Sequence, residues 1–241
     1  MNQTHMSCRA AAALIAALPA AAMADWASGD PYAGAAAIPL FAHYRPSGQS
    51  QVTALAFENF AWVPGAGGGV IDTLGGFYHQ FNTTPAFADV DKAYWEIRSG
   101  VGAGVAGTLV ASGVGVPTSA PTSFVQGGGA VIRTTLDIAD FALPAGNYWF
   151  GMAIGDTPEI GWFVANTTGT NGVGGPLGDN VSIYYQSNPP NTPSWDYVDI
   201  GPTGMGFTGV DAAYFINEVP APGVISVGLF ALAGMARRRK R

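Results

Sequence analysis

The residues of this chain best suited to chemistry are its carboxylates, and Asp89-Val90-Asp91 sets two of them at i and i+2. In a loop, such a pair can contribute to a Ca²⁺ site, where about six to eight oxygens include backbone carbonyls and water. No EF-hand loop and no glycine–aspartate repeat accompanies Asp89 and Asp91, so the simpler reading is a solvated turn ahead of a strand. Glu58, Asp72, Glu96, Asp137, Asp140, Asp156 and Glu159 are the acids from which a glycosidase pair would be drawn. That chemistry needs two carboxyls facing each other across a cleft at roughly 5–10 Å. Spacing along the chain brings no two of them to that arrangement, and most read as surface charges that keep strand edges soluble.

The remaining catalytic signals are weak. The body histidines, His43 and His79, lie on separate segments, and no Gly-x-Ser-x-Gly elbow anchors a hydrolase triad. The glycine strings at 65–69 and 127–129 are not followed by Gly-Lys-Ser/Thr, so they read as turns rather than phosphate loops. The expectation is a non-enzymatic protein. Among the aromatics, Trp149, Trp162, Tyr184, Tyr185, Trp195 and Tyr197 have the chemistry to stack on sugar rings. Trp195 and Tyr197 are the better candidates for sugar contact because they follow an Asn- and Pro-rich loop. Trp95 and Trp149, inside strand-like runs, read as core, where large aromatics dominate the buried area.

The elements that must position these residues read as short strands. After an irregular lead-in over 25–50, strand-like runs are expected at 52–60, 70–79, 91–98, 107–112, 131–138, 147–154, 161–165, 181–185, 195–200 and 210–217, separated by Gly, Pro and Asn. Over 91–98, Ala93, Trp95 and Ile97 alternate with Tyr94, Glu96 and Arg98, the period of a strand with one wet face. Over 131–138, Ile132, Leu136 and Ile138 face one way and Arg133, Thr135 and Asp137 the other. No long segment carries helical spacing with caps. An all-β, antiparallel β-sandwich or jelly-roll-like single domain follows for residues 25–218.

Composition narrows the function class. Lys and Arg number 10 and Asp and Glu 16, but six of the cations lie in the two ends of the chain. The body keeps Arg45, Lys92, Arg98 and Arg133 against all sixteen acids, a formal −12. Nucleic acid is excluded as a partner, since binding it takes clustered cations that displace counterions. The aromatic share of 12 % and charged share of 11 % argue for a packed fold in spite of 34 glycines. The single cysteine, Cys8, falls in the first segment, so the body has neither a thiol nucleophile nor a Cys-based zinc site. No cofactor is called for; Ca²⁺ at Asp89 and Asp91 is the one candidate.

The two ends read as addresses. Residues 1–24 have the pattern of a signal peptide: Arg9 for the basic region, 10–18 for the apolar region, and the small residues Ala22 and Ala24 before a cut at Asp25. At the other end stand Val219-Pro220-Ala221-Pro222, an apolar run over 223–236, and Arg237-Arg238-Arg239-Lys240-Arg241. The run is shorter than the roughly 20 residues of a comfortable spanning helix. Its terminal cations extend it by snorkelling, and they hold that end on the cytoplasmic side. A short C-terminal hydrophobic helix is therefore expected, with the body on the outer side, in agreement with the first 24 residues.

Residues 219–241, with their Pro-containing motif, apolar run and basic cluster in that order, resemble the bacterial PEP-CTERM sorting signal. Ala221 stands where that family usually has Glu. The resemblance implies processing by an exosortase-like membrane enzyme after signal peptidase has acted, transient inner-membrane anchoring, and delivery to the cell surface or extracellular matrix, in association with extracellular polysaccharide. The body also looks like the β-sandwich domains of other exported proteins with this tail. The likeness is carried by Phe57 to Phe60 with Pro64 and Gly65, Leu74 to Tyr78, Tyr94 to Gly100, and Leu136 to Phe150; these are packing and turn signatures. The alternative is a carbohydrate-binding module or a polysaccharide-acting enzyme on the same sandwich.

Overall fold

A computed structural model describes residues 26–32, 40–41, 53–64, 69–80, 90–102, 105–156, 161–179, 182–187, 198–199 and 211–219. Every regular element among them is a strand. In chain order these are β1 (Trp26–Ala27), β2 (Leu40–Phe41), β3 (Thr53–Trp62), β4 (Val70–His79), β5 (Val90–Ser99), β6 (Thr108–Gly115) and β7 (Thr118–Gln126). They continue with β8 (Gly129–Ala142), β9 (Gly146–Asp156), β10 (Phe163–Val164), β11 (Asn166–Thr167), β12 (Ser182–Ser187), β13 (Val198–Asp199), β14 (Asp211–Ala212) and β15 (Tyr214–Val219).

The strands form two main antiparallel sheets in a sandwich-like arrangement. One runs β13-β12-β3-β9-β5-β6. The other is built on β4, which pairs with β8 along one edge and with β15 and then β10 along the other; β7 extends it beyond β8, and β1 and β2 close its far side. A two-stranded ribbon, β11-β14, stands beside them. Between the sheets lies the main core, with Ala56, Phe60, Trp95, Ile97, Phe150 and Met152 from one sheet meeting Leu74, Tyr78, Ile132, Leu136, Tyr214 and Ile216 from the other.

The alternation read over 131–138 holds: Ile132 and Leu136 are buried, Ile138 half-buried, and Arg133 and Asp137 exposed. Arg133 lies over the Phe215 ring, 4.2 Å from its centroid, a cation–π contact on the outer face. The alternation over 91–98 is also right, but its second face is not wet. Glu96 and Arg98 are 3 % and 6 % exposed. They pair with each other, Tyr94 donates its hydroxyl proton to Glu96, and Arg98 Nη1 donates to Ala106 O at 3.0 Å. Leu55, Phe57, Val101 and Ala153 form a second apolar cluster on this outer face. Trp149 packs half-buried against this second cluster, whereas Trp95 belongs to the main core.

Two further corrections concern segments without an apolar pattern. The lead-in supplies Trp26, 1 % exposed, to the main core, and Trp26–Ala27 pairs with Ile216 and Phe215. Residues 118–126, rich in Ser, Thr and Pro, form β7, an edge strand whose register with β8 breaks between Pro121 and Val125. Proline is tolerated there because an edge strand leaves one row of donors outside the ladder. With only Val116 and Pro117 between them, β6 and β7 carry the chain from the edge of one sheet to the edge of the other. Gly127 and Gly128, with φ of 59° and 81°, make the two-residue turn into β8, the primed geometry that glycine adopts without strain. No helix among the described residues is long and apolar enough to cross a membrane.

Candidate functional site

Two places gather polar chemistry, and both depend on strands far apart in sequence. At the first, Glu58 on β3 falls on the same face as the core residues Ala56 and Phe60, so the fold carries a carboxylate inward. Its Oε2 accepts from the Ala212 main-chain N–H at 2.8 Å, tying β3 to β14. Asp211, the neighbour of Ala212, is also fully buried, and its backbone is held by pairing with Thr167. Asp179 arrives at the end of the 168–179 loop, which is fixed to β3 by Ala61 N–H donating to Gly175 O at 2.7 Å and Asn59 Nδ2 donating to Asp179 Oδ2 at 3.0 Å. One carboxylate oxygen from each of Glu58, Asp179 and Asp211 lies within 4.8 Å of the other two.

Three carboxylates at that separation, two of them buried, repel strongly when ionised in a medium of reduced dielectric. Hard oxygen donors in this arrangement have the chemistry to share a proton or to ligate a divalent cation such as Ca²⁺. Asp179 and Asp211 were not singled out in the sequence. The available signal was Glu58 itself, an acid on the apolar face of an otherwise regular strand.

The second place is a cleft of about 460 Å³ at the open edge of the sandwich, between β6 and the end of β8. Trp95, Leu136, Ile138 and Phe141 contribute its apolar lining, and Ser112, Asp137 and Asp140 its polar lining. Trp95 and Phe141 lie offset and nearly parallel, with centroids 6.0 Å apart and planes at 17°. The inward positions of β6 read Ala111, Gly113, Gly115, which lets Trp95 and Leu136 approach its backbone closely. A Cβ at Gly113 would sit 2.8 Å from Trp95 Nε1, and one at Gly115 2.7 Å from Leu136 Cδ1. On the facing strand the register shifts: Ile71 is opposite Phe141 and Thr73 opposite Asp137, so Ile138, Ala139 and Asp140 stand against Asp72 alone. Such a bulge re-aims side chains; Asp137 and Asp140 are both exposed.

The sequence-level candidates fall as follows. Asp91 is an exposed residue within β5, not in a loop ahead of it, and its carboxylate is 3.7 Å from Lys92 Nζ. Its neighbour Asp89 lies outside the described residues, as do Trp195, Tyr197, Ala22, Ala24, Asp25, Pro220, Ala221, Pro222 and the basic residues 237–241. Val219 is the last residue of β15, opposite Val70. Of the acids considered for a glycosidase pair, Glu58 meets Asp179 and Asp211, neither of them among those acids, Glu96 pairs with Arg98, and Asp137 and Asp140 share the cleft. Trp162 is wholly buried and has no ring face to offer a ligand.

Tyr78 and Tyr214 bridge the sheets from inside the core. Where β3 and β9 part beyond Phe57 and Gly151, the Tyr214 hydroxyl lies 3.0 Å from Ala56 O and 2.9 Å from Met152 O, and the Tyr78 hydroxyl donates to Met152 O at 3.0 Å. Burial pushes both phenol pKa values up, so neither is poised as a proton donor near neutral pH. Both act as fixed struts. No known protein family, no characterised protein and no solved structure matches this chain.

Proposed function

We propose that this chain is an exported, non-enzymatic protein of the cell surface or extracellular matrix, sorted through its C-terminal segment. The observation that carries the reading is the ordered pattern of residues 219–241: Val219-Pro220-Ala221-Pro222, an apolar run and five terminal cations. Its topology agrees with that implied by residues 1–24, because both leave the body on the outer side. An acidic body without cysteine suits that destination. In this reading signal peptidase cuts before Asp25 and an exosortase-like membrane enzyme acts near Pro220, immediately after the last paired residue of the body. Association with extracellular polysaccharide accompanies the reading.

Intact-mass measurement of the protein recovered from outside the expressing cells tests it. The expected mature chain begins at Asp25 and ends near residue 220. A mature chain that still ends at Arg241 overturns the sorting claim, and retention of residues 1–24 overturns export.

A further inference from the structure

We infer that the cleft between β6 and β8 is a carbohydrate-binding site for an uncharged pyranose unit of a glycan. The inference goes beyond the sorting reading: it concerns the body alone and stands whether or not the tail is cleaved. The cleft's volume of about 460 Å³ falls within the range of small-ligand sites, about 300–1,000 Å³. Its lining decides the ligand class. An anion would meet two carboxylates, Asp137 and Asp140, and no Lys, Arg or His. A hard cation wants about six or more oxygens, which a lining half made of Trp95, Leu136, Ile138 and Phe141 does not supply.

A polyhydroxylated ring satisfies both halves. Its C–H face packs on the Phe141 ring, which is only partly buried and is backed by the buried Trp95 ring. Its hydroxyls donate to the carboxylates, and charged acceptors make such bonds stronger than neutral ones. The local backbone is built around this space from both sides. β6 presents Ala111, Gly113 and Gly115 inward, which admits Trp95 and Leu136 close to its backbone, and just after Asp137 β8 carries an irregularity of three residues, Ile138, Ala139 and Asp140, against one.

The test is titration of the full-length chain, held in a non-glycosidic detergent, with cellobiose, maltose, laminaribiose, N,N′-diacetylchitobiose and glucuronate, read by calorimetry. At least one neutral disaccharide should saturate, and glucuronate should bind more weakly. Asp137→Asn with Asp140→Asn, both at exposed positions, should weaken binding by about tenfold or more while leaving the melting temperature unchanged. Ala139→Trp, at an exposed position of the lining, should block the mouth and abolish binding. Asp179→Asn, outside the cleft, should bind as the parent does. No saturable binding by any neutral sugar overturns the inference. So does binding that Ala139→Trp and the Asp137/Asp140 variant leave unchanged, or glucuronate binding as tight as that of the neutral sugars.

Discussion

His79 is a side chain whose ordinary chemistry is altered by its surroundings. It is fully buried at the end of β4, with its ring 5.9 Å from that of Phe163. Burial, outweighing the opposing effect of the Gln80 main chain, lowers its pKa from 6.5 to about 4. The unfolded chain therefore binds a proton between about pH 6.5 and 4 that the folded chain refuses. The stabilisation is complete above the unfolded value and is lost as pH falls towards 4. Replacing His79 by Leu, of similar volume, should remove this dependence. Urea melts at pH 7 and pH 4 should show the parent losing roughly 2–3 kcal/mol more than His79→Leu. Glu58 poses a different question at the same scale. Glu58→Ala strips the buried Ala212 N–H of its acceptor, at a cost of about 1–3 kcal/mol, whereas Glu58→Gln keeps a carbonyl oxygen for that bond. Denaturant midpoints should rank Gln above Ala.

At the scale of elements, close approach and buried pairing set the tolerances. Gly75 in β4 lies under the Phe215 ring: a Cβ there would be 2.1 Å from Phe215 Cζ and 2.5 Å from Thr134 O. Because the second contact is main chain, a rotamer change cannot relieve it, and Gly75→Ala should cost about 1–3 kcal/mol, read as a lowered melting temperature. On the outer face of β5, Arg98→Ala leaves the Glu96 carboxylate buried without its guanidinium, and a loss of about 3–5 kcal/mol is expected. The double variant Glu96→Gln, Arg98→Met removes both charges, and thermal denaturation should show it less destabilised than Arg98→Ala alone. Gln126 is a third fixed point: its Nε2 donates to Tyr32 O and Asn166 O, and its Oε1 accepts from Asn166 N–H. Through it the end of β7 is locked to β11.

At the scale of the molecule, two sheets enclose one large core that tyrosines bridge from within, and the open edge between β6 and β8 leaves a cleft. The path of β6 into β7 across Val116 and Pro117 joins the edges of both sheets, so the cleft forms at a corner, where neither sheet alone would make a concavity. The candidate sugar site and the three-carboxylate cluster draw on different elements. β6 and β8 supply much of the cleft, whereas β3, β14 and the 168–179 loop supply the cluster. Variants of one are therefore expected to leave the other intact, as distant sites add independently. Calorimetric sugar titration of Glu58→Gln at the parent affinity is the result that checks this separation.

The sequence alone determined the all-β class, the inward and outward residues of β8, the alternation of β5 and the glycine turn at 127–128. Each follows from a period of two or a turn geometry that a few adjacent residues specify. It also determined the acidic, cysteine-free composition of residues 25–218. Only the tertiary structure decided that Glu58 meets Asp179 and Asp211, that Glu96 and Arg98 lie under cover instead of in water, and that Asp137 and Asp140 rim a cleft beside Trp95. The reason is physical: these groups meet through strand pairings and loops that close over long stretches of chain. A period of two says which side of a strand a residue faces, but what lies on that side is set by the elements that the rest of the chain brings there.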